Sequence, residues 1–179
     1  MLLLASAAHA QVRLSVLMDG AAGRAVGRGG EFFDRGFAAA RVAVSDVPIT
    51  DSRLRFVVEG GYDWFGFAAG HDAVCRPSPR GGCLQPFPAI GGLTMSVGAI
   101  ADLGSTVELR GLVGGADYSI DGTRAGAVIG ALDVAAFPEP HVGLILGVRD
   151  VTVPRYQNDR LTITAWMVGL RVRERPPRP

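Results

Sequence analysis

Few residues in this chain are of types that could do chemistry, and several of them crowd into one stretch. His71, Asp72 and Ser78 lie there, flanked by Cys75 and Cys83. A histidine within reach of a serine hydroxyl can act as the base that activates it for acyl transfer. Spacing alone fixes no such geometry, and an ordinary polar loop contains the same residues. The cysteines enclose Arg76-Pro77-Ser78-Pro79-Arg80-Gly81-Gly82, and in an exported chain two cysteines so placed read as a local disulfide. They do not match the spacing of a zinc knuckle, even with His71 and Asp72 nearby. His141 falls at a strand end, where an exposed turn residue is the ordinary reading.

Nucleotide and hydrolase signatures are missing from the sequence: it contains no G-x-x-x-x-G-K-[ST] loop, H-E-x-x-H helix, G-x-S-x-G elbow or paired C-x-x-C. The glycine-rich run Gly20–Gly30 lacks the lysine of a phosphate loop and reads as a flexible connection. No cofactor is expected. Arg24, Arg28 and Arg35, with Arg76 and Arg80 on a second long connection, are the remaining feature, since the planar fork of arginine suits phosphate groups.

The elements that would position these residues emerge when the chain is matched to a period of two, because alternate residues of a strand face opposite sides of a sheet. Eight segments of this kind are found, roughly 12–18, 36–44, 54–64, 92–101, 107–114, 125–136, 142–149 and 161–173. In the third, Leu54, Phe56, Val58, Gly60, Tyr62 and Trp64 form one face and Arg55, Val57, Glu59, Gly61 and Asp63 the other. The fifth sets Val107, Leu109, Gly111 and Val113 against Glu108, Arg110, Leu112 and Gly114. The seventh sets Val142, Leu144, Leu146 and Val148 against His141, Ile145 and Arg149. Charges fall on one face only.

Eight strands of this kind predict one all-β domain, an antiparallel up-and-down barrel. Its apolar faces would face lipid and its charged faces a polar, side-chain-filled lumen, because an arginine facing lipid at the midplane costs about 2–4 kcal/mol whereas opposite charges in a narrow lumen can pair. The expected lumen set is Arg13, Arg41, Arg55, Glu59, Asp63, Glu108, Arg110, Asp133, Arg149 and Arg171. Tyr62, Trp64 and Tyr118 are expected in an outer aromatic belt and Phe137 in an inner one, with Trp166 at mid-strand. Long connections are expected near 19–35 and 66–91, a moderate one near 152–160, and short turns near 45–52, 102–105 and 137–140. Asp121-Gly122 marks a tight hairpin.

Residues 1–10 run from Leu2-Leu3-Leu4 to Ala8-His9-Ala10, an A-x-A cleavage pattern, and read as a signal peptide. Residues 11–173 would be the barrel and 174–179 a Pro/Arg-rich periplasmic tail. No apolar run of about 18 residues follows the leader, so any membrane crossing is by strands. A formal net charge of +1 argues against a nucleic-acid partner.

On these patterns the chain resembles the small eight-stranded outer-membrane barrels of the OmpA transmembrane domain and OmpX type. Gly169, Leu170 and Val172 match the insertion signal in the last strand of that class, but its terminal aromatic is replaced by Arg173 and the tail. The resemblance implies a monomer in a bacterial outer membrane with both termini periplasmic. It also implies a structural or surface-interaction role, with outer-membrane lipid around the wall and lipopolysaccharide or a surface partner at the external loops. A narrow porin-like channel, a soluble lipocalin-like binding barrel and a lipid-modifying acyltransferase are the competing readings.

Overall fold

The computed structural model describes residues 13–28, 34–47, 54–67, 76–77, 83–84, 90–120, 123–156 and 159–174. Eight long strands close into one antiparallel barrel: β1 (Arg13–Arg28), β2 (Asp34–Val47), β3 (Leu54–Phe67), β6 (Ile90–Asp102), β7 (Val107–Ile120), β8 (Thr123–Ala136), β9 (Val142–Tyr156) and β10 (Asp159–Arg173). The short strands β4 (Arg76–Pro77) and β5 (Cys83–Leu84) pair with each other in the connection between β3 and β6. Each barrel strand pairs with its chain neighbours, and β10 pairs with β1 to close the wall. Closure leaves no edge strand, so every backbone ladder is satisfied within the barrel.

Strict alternation determines what each face meets. Met18, Val42, Phe56, Met95, Val113, Leu132, Leu144 and Val168 project outward and are exposed, while their chain neighbours on the other face are buried or partly buried. Leu93 is 70% exposed and Arg110 0%. This is the reverse of a water-soluble barrel, in which the apolar residues point inward, and it excludes the lipocalin-like arrangement. Among the described residues no helix is long and apolar enough to cross a membrane; strands crossing as a closed barrel need none.

The start of β1 and the end of β10 lie at one end of the barrel, together with the turns 103–106 and 137–141. That end is tied off by backbone bonds from Phe137 N–H to the Thr106 carbonyl (2.7 Å) and from Glu174 N–H to the Val16 carbonyl (3.1 Å). The opposite end carries the 68–89 connection and the hairpin between Ile120 and Thr123, whose two linking residues are Asp121 and Gly122.

Strands extend farther than the alternation predicts, and two expected loops largely disappear. β1 runs through Arg28, so most of the glycine-rich run is barrel wall rather than flexible connection, and only 29–33 separate it from β2. Small residues there blur the apolar–polar contrast while keeping the period: Ala21 and Ala25 are buried and Ala22 is exposed. β9 continues to Tyr156, leaving residues 157–158 where a moderate loop was expected. Pro154, which reads as a breaker, lies at the register shift opposite residues 159–161, where no ladder hydrogen bond is required of it.

Candidate functional site

The lumen holds the only dense assembly of charged groups among the described residues. It begins at Arg110 on β7, which is fully buried. Its Nε donates to Asp133 of β8 at 2.8 Å, Nη1 to Glu59 of β3 at 2.6 Å and Nη2 to Asp19 of β1 at 2.6 Å. Arg171 of β10 shares two of these partners, donating to Asp19 (2.9 Å) and Asp133 (2.8 Å), and reaches Glu108 of β7 at 3.4 Å. Arg55 of β3 bridges Asp102 of β6 and Glu108, both at 2.7 Å. Arg173 also bonds Glu108, and its Cζ lies over the Phe137 ring, 3.6 Å from the centroid.

Farther toward the long-loop end, Arg41 of β2 donates to Asp63 of β3 at 3.2 Å, and Arg149 of β9 lies 2.7 Å from the same carboxylate. All eight barrel strands therefore contribute a charge to the lumen. Six arginines and five acids are buried outright, and Asp102, paired with Arg55, makes the acids six. Such balance is what permits the burial, since an unpaired charge in a low-dielectric interior is strongly penalised.

Close packing needs room. Gly61 stands directly across from Arg41, and a β-carbon there would come within 2.6 Å of the Ala40 carbonyl oxygen and 2.7 Å of Arg41 Cγ. Its absence lets the arginine stem lie against β3. Gly147 does the same on β9, where a β-carbon would meet Asp133 Cβ at 2.7 Å and Met167 Cε at 2.9 Å.

Above the charges the lumen becomes apolar. Phe37, Phe65, Tyr118, Ile90, Ile120, Ile129, Val151, Val153 and Ile163 pack into one buried cluster with small residues of β1, β8 and β10. Phe65 lies 4.9 Å from Phe37 and meets Tyr118 edge-on at 5.9 Å. Tyr118 joins the two regions by donating its hydroxyl to Asp63 at 3.0 Å.

Nine of the ten residues expected in the lumen are buried there: Arg41, Arg55, Glu59, Asp63, Glu108, Arg110, Asp133, Arg149 and Arg171. Arg13 lies in β1 opposite Val47, but its side chain is outside the described residues. Asp19 and Arg173 belong to the network and escaped the sequence reading, Asp19 because it abuts the glycine-rich run and Arg173 because it leads into the tail.

Two aromatic assignments need correction. Tyr118 and Phe137 are buried, not in lipid-facing belts: Tyr118 shares the inward parity of Glu108 and Arg110, and Phe137 folds under the barrel onto Arg173. Tyr62, Trp64 and Trp166 are exposed on the outer wall. Arg24, Arg28 and Arg35 belong to strands β1 and β2 rather than to a loop. Arg76 lies in β4, and Arg80 is outside the described residues. So are His71, Asp72, Ser78 and Cys75, as well as residues 1–10 and 175–179; Cys83 lies in β5. His141 is exposed, with Nδ1 3.2 Å from the Arg173 carbonyl oxygen. Among the described residues no cluster of three or more metal-ligating side chains occurs.

No protein-family model matches the sequence, and no curated protein matches it. Solved structures do match. The crystal structure of Ail, the attachment invasion locus protein of Yersinia pestis, is 13% identical over 90% of this chain and 97% of its own, with a TM-score of 0.51. Its complex with the heparin analogue sucrose octasulfate is 12% identical over the same shares, at 0.50. The Yersinia pestis outer membrane protein Ail in a phospholipid bilayer nanodisc is 13% identical over 90% of this chain and 99% of its own, at 0.51. The fold is that of the small eight-stranded outer-membrane barrels.

Proposed function

We propose that this chain is an exported, non-enzymatic barrel of a bacterial outer membrane that presents its long-loop end to anionic groups at the cell surface. The observation that carries the reading is the inverted wall: large apolar side chains are exposed around the barrel while a network of arginines and carboxylates is buried and paired in its lumen. Water offers no reason to expose Leu93, Met95, Val113 and Leu146 together, and lipid does. The short-turn end with both termini faces the periplasm.

A conducting pore fits poorly, because Arg110, Arg149 and Arg171 are among the largest fully buried side chains and the apolar cluster fills the lumen beyond them. At the external end, Arg124, Arg155 and Arg160 are exposed, Arg124 lying 3.4 Å from Asp117, and Arg24 is exposed on the outer wall across from Trp166. Arg28 and Arg35 of the strand ends and Arg76 and Arg80 of the long connection are read as adding to this basic set. Lipopolysaccharide phosphates or sulfated and phosphorylated surface saccharides suit such a rim; Ail was crystallised with a heparin analogue. Cys75 and Cys83 are read as a disulfide within the long connection, as two cysteines so spaced in an exported chain ordinarily are.

The test is to extract membranes of expressing cells with detergent and compare unboiled and boiled protein on a denaturing gel. A membrane-retained protein that shifts in mobility only on heating is expected. A protein found in the soluble fraction without that shift overturns the reading. With the same preparation, Arg124→Glu combined with Arg160→Glu is expected to weaken binding to lipopolysaccharide vesicles several-fold while keeping the heat shift.

A further inference from the structure

Six polar atoms in the lumen are buried without a hydrogen bond: Arg41 Nε, Glu59 Oε1, Ser96 Oγ, and Nε, Nη1 and Nη2 of Arg149. They are neighbours. Ser96 stands directly across from Glu59 in the β3–β6 ladder. Glu59 Oε1 is 3.7 Å from Arg41 Nε and 3.6 Å from Arg149 Nη1, too far for direct hydrogen bonds yet close enough for attraction. Arg149 Nε is 2.7 Å from Asp63 Oδ2, but its N–H is not aimed at that oxygen, which accepts from Tyr118 instead.

Everywhere else the network is joined directly. Arg110 and Arg171 use all three of their nitrogens in hydrogen bonds to carboxylates. Leaving a fully buried guanidinium and a carboxylate oxygen unsatisfied side by side is costly, and polar groups separated by more than about 3.5 Å are where a bridging water belongs.

We propose that the lumen contains a sealed hydration site around Glu59, in which one or more ordered waters are held by Glu59 Oε1, Ser96 Oγ, Arg41 Nε and the Arg149 guanidinium. The mixture of groups selects the ligand. Arginine nitrogens need an acceptor and the carboxylate oxygen needs a donor. A halide offers nothing to Glu59, a cation nothing to the arginines, and water serves both. Charge agrees, since Arg41 and Arg149 are matched by Glu59 and Asp63, so an added ion has no counter-charge. The partners also meet the two to four that a buried water requires.

The site lies at the seam of the lumen. On one side Tyr118, Phe65 and Phe37 close it with rings, Arg41 lying 5.8 Å from the Phe37 centroid. On the other, Arg110 and its three carboxylates block the way to the short-turn end. Its water is enclosed rather than part of a through-path, and exchanges slowly.

The experiment is water-to-side-chain magnetisation transfer by NMR on the full chain, refolded in bilayer nanodiscs with labelled arginine. Direct dipolar contacts with water are expected at the Nε–H of Arg149 and Arg41 and not at those of Arg110 and Arg171. Ser96→Val, which puts methyl groups where water would sit, is expected to lose most of the Arg149 contact; the heat-dependent gel shift reports whether that variant folds. Absence of a water contact at Arg149 in the parent protein overturns the proposal, and this reading stands whether or not the variant folds. Equal contacts at all four arginines also overturn it, since that pattern means an open, wet lumen. A saturable shift of the Arg149 signal on titrating chloride overturns it in favour of an anion.

Discussion

The two halves of the lumen solve the same packing problem with opposite chemistry. Toward the short turns, the interior is filled mainly by arginines and carboxylates whose partners stand on different strands, as far apart in sequence as Asp19 and Arg171, with a smaller apolar cluster of Leu17, Ala43, Val57, Ile100 and Leu112 among them. Toward the long connection it is filled by rings and branched aliphatic side chains. Apolar contacts are non-directional, so a small shift in one strand costs the upper cluster little more than some contact area. The charged half is less forgiving. A slip of one residue in any strand would turn its buried charge toward lipid and strand its partners inside. The charged half therefore specifies register and closure, whereas the apolar half seals.

The difference predicts unequal responses to truncation, the largest at Arg110. Arg110→Met keeps much of the volume but leaves three buried carboxylates short of a partner. Asp19 and Asp133 keep Arg171, whereas Glu59 loses the one hydrogen bond its carboxylate makes. Removing one member of a buried pair costs about 3–5 kcal/mol, and this loss is expected in urea unfolding of the refolded barrel. Adding Glu59→Gln to Arg110→Met is expected to recover part of it, because the stranded charge is then gone. A cost below about 1 kcal/mol would mean that the charges do not act as one network.

The apolar half comes next. Phe65→Ala removes a ring that contacts both Phe37 and Tyr118, and truncating a buried aromatic costs about 3 kcal/mol or somewhat more. The instructive measurement is the double variant with Arg110→Met. If the halves are separate, the two losses add to within about 0.5 kcal/mol. Strong coupling would mean that Tyr118, through Asp63, makes the lumen one structure instead of two.

How legible each half was in the sequence follows from the same contrast. An arginine or glutamate within an alternating segment betrays which face points inward, so Arg41, Arg55, Glu59, Asp63, Glu108, Arg110 and Arg149 could be placed before any coordinates. Phe65, Ile120, Val151 and Ile163 carry no such mark: an inward isoleucine above the charges looks like an outward one beside lipid. For that reason the sequence pattern places Tyr118 on the wrong face and hides the seal at the long-loop end, while the small residues of β1 conceal how far that strand runs. Partners were illegible throughout. That Arg110 should meet Asp19 depends on barrel closure, which brings β1 and β7 to facing sides of one lumen, and no local spacing encodes that.

The smallest effect sharpens the comparison most. Ile163 of β10 is fully buried in the apolar cluster, and Ile163→Val removes a single methylene with no polar consequence. Such a change costs about 0.5–1.5 kcal/mol where the surroundings are close-packed and almost nothing where they can collapse into the gap. Measured by the same urea titration, a cost near 1 kcal/mol would identify the seal as a true core, packed as tightly as the interior of a water-soluble protein. A cost near zero would show a cluster that excludes water without fitting together. Unique structure in the lumen would then reside almost wholly in the charged half, and the apolar half would be free to accept other side chains of similar bulk.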